Sequence, residues 1–184
     1  MALTKTPICN FGEKAKDFNL LSTENKKISL NDIRGEKGTL IMFICNHCPY
    51  VKAVIKDIVE DTKYFKSIGI KSVGIMSNDI KNYPDDSFEN MISFSKINSF
   101  DFPYLLDNTQ KIAKEYGAVC TPDFFGYNDK LELQYRGRIR ELKNLKPVKN
   151  GNSELKIAMK KIAETGKGPK DQIPSMGCNI KWFK

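Results

Sequence analysis

Hydrophobic and polar positions change period several times along the chain, and each change predicts an element. Residues 17–21, DFNLL, and 26–30, KKISL, flank the polar turn STEN and predict an N-terminal hairpin. Asn31 or Ser29 then offers a cap for one short turn that stops at Gly35. Residues 39–45, TLIMFIC, form an unbroken apolar run behind GEKG, the pattern of a central strand buried on both faces. From Pro49 the period becomes helical. Val51, Val54, Ile55, Ile58 and Val59 share one face, Lys52, Lys56, Asp57 and Glu60 take the other, and Gly69 ends the helix.

Residues 70–78 predict a second buried strand, and 83–100 a helix entered through Pro-Asp with Phe88, Met91, Ile92 and Ser95 on one stripe. FPYLLD is a short apolar strand, and NTQKIAKEYG a helix closed by Gly117. Residues 122–139 predict two strands around the turn YNDK, and 152–168 a last helix capped by Asn152 or Ser153. The end, PKDQIPSMGCNIKWFK, shows no period and is expected to be irregular, with Trp182 packing it down. Early alternation of strands and helices followed by a hairpin predicts an α/β fold with a mixed central sheet flanked by helices. The 184 residues suit a single domain, with a core over about 11–165 and a C-terminal extension over about 166–184.

Composition narrows the setting. Hydrophobic residues at 40% supply a packed core. The net charge of +8 is uneven: residues 1–135 carry 17 Lys and Arg against 18 Asp and Glu, while 136–184 carry 13 against 4. The basic end is read as a solvated face, because no nucleic-acid module accompanies it. Arg136, Arg138 and Arg140 fall at alternate positions of an expected edge strand. No stretch has signal-peptide length and no run of 18 residues is apolar, so a cytoplasmic protein without membrane or nucleic-acid partners is expected.

The chemistry concentrates in FICNHCPYV, residues 43–51, which holds Cys45, Cys48 and the chain's one histidine, His47. Five cysteines in a reducing compartment point to catalysis or metal binding rather than a disulfide scaffold. The pair sits where a buried strand meets a helix. Unpaired N–H groups and the positive end of the helix dipole there favour a thiolate. Cys45 is expected to be the more exposed sulfur and Cys48 to lie one turn inward, with His47 favouring ionisation of Cys45. Pro49 costs little at the first helical position. Zinc is the rival ligand, but it requires Cys120 and Cys178 to converge on the single C-x-x-C. Cys9 lies near the terminus and is given no role.

With these residues in order, the chain resembles the thioredoxin superfamily and, within it, the redoxin or peroxiredoxin-like (AhpC/TSA-type) branch with a CNHCP motif. EKAKDFNLLSTENKKISLNDIRGEKGTLIMF is similar to the start of those proteins, FPYLLDNTQKIAKEYGAVCTPDFFGYNDKLELQYRGRI to their second half, and GCNIKW to the tail of a subgroup. The resemblance implies a thioredoxin-like fold with Thr121–Pro122 cis and facing the cysteines, its backbone open to an extended thiol substrate. It implies thiol–disulfide exchange in which Cys45 attacks, Cys48 resolves, and a thioredoxin- or glutathione-type thiol recycles the enzyme without any cofactor. Cys48 also matches the peroxide-reacting position, so a thiol peroxidase is the alternative. The P-x-x-x-T/S-x-x-C pattern of that reaction is broken by Ile41 and Cys45. Thr39 stands where thioredoxins bury an acid. A zinc-binding or non-catalytic redox-sensing module is the third reading. Cys120 beside Thr121, and Cys178 in the tail, are candidate accessory thiols. The substrate is expected to be a protein or small-molecule disulfide or a hydroperoxide.

Overall fold

The computed structural model describes residues 3–149 and 151–184. In chain order the elements are β1 (Leu3–Lys5), β2 (Asn19–Ser22), β3 (Lys27–Ser29), β4 (Gly38–Phe43), α1 (Pro49–Ser67), β5 (Ile70–Met76), a 3-10 turn (Pro84–Asp86) and α2 (Phe88–Ile97). There follow β6 (Tyr104–Leu106), α3 (Lys111–Glu115), β7 (Cys120–Thr121), β8 (Asp123–Tyr127), β9 (Leu133–Tyr135), β10 (Leu142–Lys143), β11 (Lys146–Pro147), α4 (Glu154–Thr165) and β12 (Met176–Asn179).

Seven strands form the central sheet in the order β3-β2-β6-β5-β4-β8-β9. β4 pairs in parallel with β5, and β5 with β6, across the helical crossovers; the remaining pairs are antiparallel. The mixed sheet follows from the sequence pattern, since β4 is apolar at nearly every position and must be covered on both faces. Leu40 and Met42 enter one core with Val51, Val54, Ile58, Met159 and Ile162 of α1 and α4. Ile41 and Phe43 enter the other with Val73, Ile75, Phe125 and Tyr116. Gly69 closes α1 at a φ of +84°, and Ser153 caps α4 by accepting from the Lys156 N–H, which settles the choice between Asn152 and Ser153. No helix among the described residues is long and apolar enough to cross a membrane.

Two expectations are corrected. The tail is not irregular: residues 176–179 form β12, sandwiched between β1 and β7 in a second, antiparallel sheet. Its short MGCN sequence carries no alternation, so pairing rather than propensity makes it a strand. The arginines are not on an edge strand, because β9 ends at Tyr135. Arg138 pairs with Glu154, and Arg140 with Asp57. Arg136 is buried, donates to both oxygens of the fully buried Asp123, and stacks over Phe125 at 4.4 Å. Replacing Arg136 by Ala strands that carboxylate, and a loss of about 3–5 kcal/mol is expected in urea unfolding. The loss should be smaller at pH 5 than at pH 8, because an unpaired buried carboxyl takes a proton.

Candidate functional site

β4 delivers Cys45 to the rim of the sheet, and Cys48 is the N-cap residue of α1, with Pro49 in its first turn. Thr121, before the cis Thr121–Pro122 bond, bridges the two sulfurs. Its hydroxyl lies 3.3 Å from Cys45 Sγ and its carbonyl oxygen 3.2 Å from Cys48 Sγ. The two thiols influence each other's ionisation, the neighbouring Cys45 favouring the Cys48 thiolate and the reverse raising Cys45. The structure therefore brings Cys45, Cys48, Thr121 and Pro122 together.

The roles of the two sulfurs differ from the sequence expectation. Cys45 is not the exposed member: Cys45 and Cys48 are 1% and 0% exposed. Cys48 donates to the Thr121 carbonyl oxygen in the structure, and its surroundings favour its ionisation over that of Cys45. The Cys45 thiol, together with the Thr121 hydroxyl, the Val51 N–H and the Cys178 thiol, outweighs burial and lowers the Cys48 pKa to about 5. Burial first, and then the neighbouring Cys48, pushes Cys45 well above an ordinary thiol. The neighbouring Cys45 thiol is the main cause of the Cys48 shift; the Val51 N–H of the first turn of α1 adds less, because α1 begins after Cys48.

His47 sits beside Cys45 and is held there by Asp86. Its Nδ1 lies 2.6 Å from Asp86 Oδ2, and its ring stacks on Tyr83. The hydrogen bond to Asp86 raises the His47 pKa, against burial. Asp86, fully buried, also accepts from the backbone N–H of Asn46 and His47 at 2.8 and 3.2 Å and from Asn78 Nδ2 at 2.8 Å. Although burial opposes it, these donors hold its carboxyl below the usual range. Asn46 in turn accepts from the Tyr104 hydroxyl at 2.9 Å. Through Asp86, His47 anchors the loop between the cysteines. Sequence reasoning missed Asp86, Asn46 and Asn78. Asp86 was visible as part of a Pro-Asp helix entry, a pattern that explains an acid there without any distant partner.

β12 reaches the same place. Cys178 pairs with Thr121 and Asn179 with Cys120, so the backbone edge beside Pro122 is already filled. The expectation that this edge is open to an extended substrate is corrected: β12 occupies it. Cys178 and Cys48 influence each other's ionisation, Cys178 favouring the Cys48 thiolate and being raised in turn, after burial. Cys120 points to the other side of the strand, with its sulfur 3.7 Å from the Pro122 carbonyl. Asn78 and Gln110 sew the tail down by accepting from the Lys181 and Phe183 N–H groups, both at 2.8 Å.

Donor atoms of Cys45, His47 and Asp86 lie within 4.8 Å of one another. This is the set a metal ion would meet, in place of the convergence of Cys120 and Cys178 on the C-x-x-C. Both Asp86 oxygens already accept two hydrogen bonds each, so an ion there would have to displace the His47 contact. Thr39, in the position of a buried acid, accepts from the Gly35 N–H.

Known proteins share the fold that carries this site. A structure of an uncharacterized conserved protein from Geobacillus kaustophilus superposes with a TM-score of 0.94 and 36% identity, over 100% of this chain and 97% of that one. The thiol-disulfide oxidoreductase ResA of Bacillus subtilis is 27% identical over 117 residues, 64% of this chain and 61% of that protein, so the match spans less than two thirds of the relative. Peroxidoxin BcpB of Mycobacterium tuberculosis shares the fold, with a TM-score of 0.56 and 16% identity over 69% of this chain and 83% of its own. The architecture is thioredoxin-like. The model of the AhpC/TSA family matches residues 11–142, a span that contains both motif cysteines, Asp86 and the cis proline, and the chain belongs to that family.

Proposed function

We propose that the protein is a thiol–disulfide oxidoreductase whose Cys45–Cys48 pair cycles between dithiol and disulfide. The observation that carries this reading is that Cys45 and Cys48, at the start of α1, meet on one residue, Thr121, Cys45 at its hydroxyl and Cys48 at its carbonyl oxygen. The redoxin relatives support it. The Cys48 thiolate attacks one sulfur of a substrate disulfide, and the other substrate sulfur leaves as a thiolate. Cys45 gives its proton to that leaving group. Its thiolate then attacks Cys48, closing the Cys45–Cys48 disulfide and releasing the second substrate thiolate. A thioredoxin- or glutathione-type thiol restores the dithiol, in a cytoplasmic setting. Because β12 fills the backbone edge, the substrate is a small disulfide rather than an extended peptide.

A second reading has its own support, the low-pKa Cys48 at the helix start. There Cys48 attacks a hydroperoxide, gives a sulfenic acid and an alcohol, and condenses with the Cys45 thiol to release water. Reduction of hydroxyethyl disulfide, insulin reduction and hydroperoxide consumption should be compared in wild type, Cys45→Ser and Cys48→Ser. Turnover of the small disulfide, lost in both variants, is expected. Peroxide consumption that survives in Cys45→Ser would select the second reading. Stoichiometric zinc with no turnover of any substrate would defeat both.

A further inference from the structure

The two motif cysteines do not account for all the sulfur at the site. Cys178 lies directly opposite Thr121, on the residue pair that ties β12 to β7. Directly opposed residues in an antiparallel pair project to the same face, so Cys178 shares the face on which Thr121 meets the motif sulfurs. Thr121 in turn meets Cys45 with its hydroxyl and Cys48 with its carbonyl oxygen, so β12 sets Cys178 beside the motif sulfurs. Gly177, the preceding residue, packs its backbone on the Thr121 carbonyl, where an added Cβ would collide. A side chain at 177 is therefore excluded and β12 sits tightly on the site. Lys181, three residues on, is fixed by Asn78 and Gln110.

We propose that Cys178 is a third redox thiol that exchanges with the Cys45–Cys48 disulfide, β12 serving as an internal substrate strand. The inference rests on the dithiol reading, which supplies that disulfide. The Cys178 sulfur attacks Cys48, a Cys48–Cys178 bond forms, the Cys45–Cys48 bond breaks, and the Cys178 proton passes to the departing Cys45 sulfur. No electrons are gained or lost overall. The exchange leaves oxidation stored between the core and the tail, and Cys45 reduced. Attack on Cys48 rather than Cys45 follows from position, since Cys178 pairs with Thr121 along the backbone edge whose carbonyl oxygen meets Cys48. Cys120 is turned away and takes no part.

The test is disulfide mapping after oxidation with hydroxyethyl disulfide, acid quench, alkylation and tryptic digestion. The motif cysteines fall on one peptide, residues 38–52, and Cys178 on another, residues 171–181. Linkage of the two peptides is expected in wild type. In Cys45→Ser it should become the main product, because Cys48 first forms a mixed disulfide with the reagent and Cys178 then displaces it. Cys48→Ser should lose the linkage. Gly177→Val, which cannot seat β12 on Thr121, should reduce it several-fold while the Cys45–Cys48 bond still forms. If wild type closes Cys45–Cys48 but neither it nor Cys45→Ser links the peptides, the third-thiol assignment is wrong and the dithiol reading stands. If no bond joins Cys45 to Cys48 either, both fall. An unchanged yield in Gly177→Val would overturn the role of β12.

Discussion

Reduced protein should show one thiolate, by its ultraviolet absorbance, that titrates with an apparent midpoint near pH 5 and disappears in Cys48→Ser. The thiolate is buried, so its stability comes from donors rather than water. Cys45 is the largest contributor. Cys45→Ser keeps a hydroxyl in that place and should leave the midpoint low, whereas Cys45→Ala removes the donor and should raise it. The pair titrates as a unit, so the measured midpoint belongs to both sulfurs. The reduced form alone gains from the ionised sulfur. At neutral pH that gain makes the Cys45–Cys48 disulfide more oxidising than one between unperturbed thiols. Stability follows the same sign. The folded pKa lies below that of an unfolded thiol, near 9. The contribution is therefore complete above pH 9, is lost as pH falls, and is gone below about 5. An ordinary thiol midpoint in wild type, or an unchanged low midpoint in Cys48→Ser, would contradict this assignment.

Loss of the Asp86 charge should destabilise the protein more than any surface change. Its two oxygens hold four donors, from Asn46, His47 and Asn78, in a place closed to water. Asp86→Asn keeps the shape but removes the charge and puts an N–H₂ group among donors. A cost of about 3–5 kcal/mol is expected in urea unfolding. Two pH effects should vanish with it. The Asp86 carboxyl is held below its ordinary value, so its stabilising contribution is present above the unfolded carboxylate pKa and lost as pH falls through the lower folded one. The His47 pKa is raised, so its contribution is present below the unfolded imidazole value and lost as pH rises through the higher folded one. NMR titration of His47 should move downward in Asp86→Asn. The Cys45 thiol, which the Asp86 charge also pushes up, should become easier to ionise. A variant with wild-type unfolding and an unmoved His47 titration would show that Asp86 does not organise the loop.

Much of the architecture is legible from local pattern. The apolar run at 39–45 demands cover on two faces, the 3.6-residue period after Pro49 makes α1, and Gly69, Gly117 and Ser153 punctuate helices by their own backbone and capping chemistry. Cys45, Cys48, Thr121 and Pro122 are recognisable because their spacing and order are themselves the signal. What stayed hidden depends on partners far away in sequence. Asp86 is unremarkable until folding sets it beneath the loop at 46–47, and Arg136 reads as a surface charge until Asp123 is buried beside it. The sequence also placed the pair at a helix start, but which sulfur its neighbours favour for ionisation depended on where Thr121 and Cys178 come to lie. The tail shows the division most clearly. MGCN has no strand pattern, and it becomes β12 because β1 and β7 leave hydrogen-bonding edges on either side of it. Local composition thus determined the elements and the reactive motif. Tertiary structure alone decided which sulfur ionises more readily and that the chain's own end covers it, because both depend on groups brought together from segments distant along the chain.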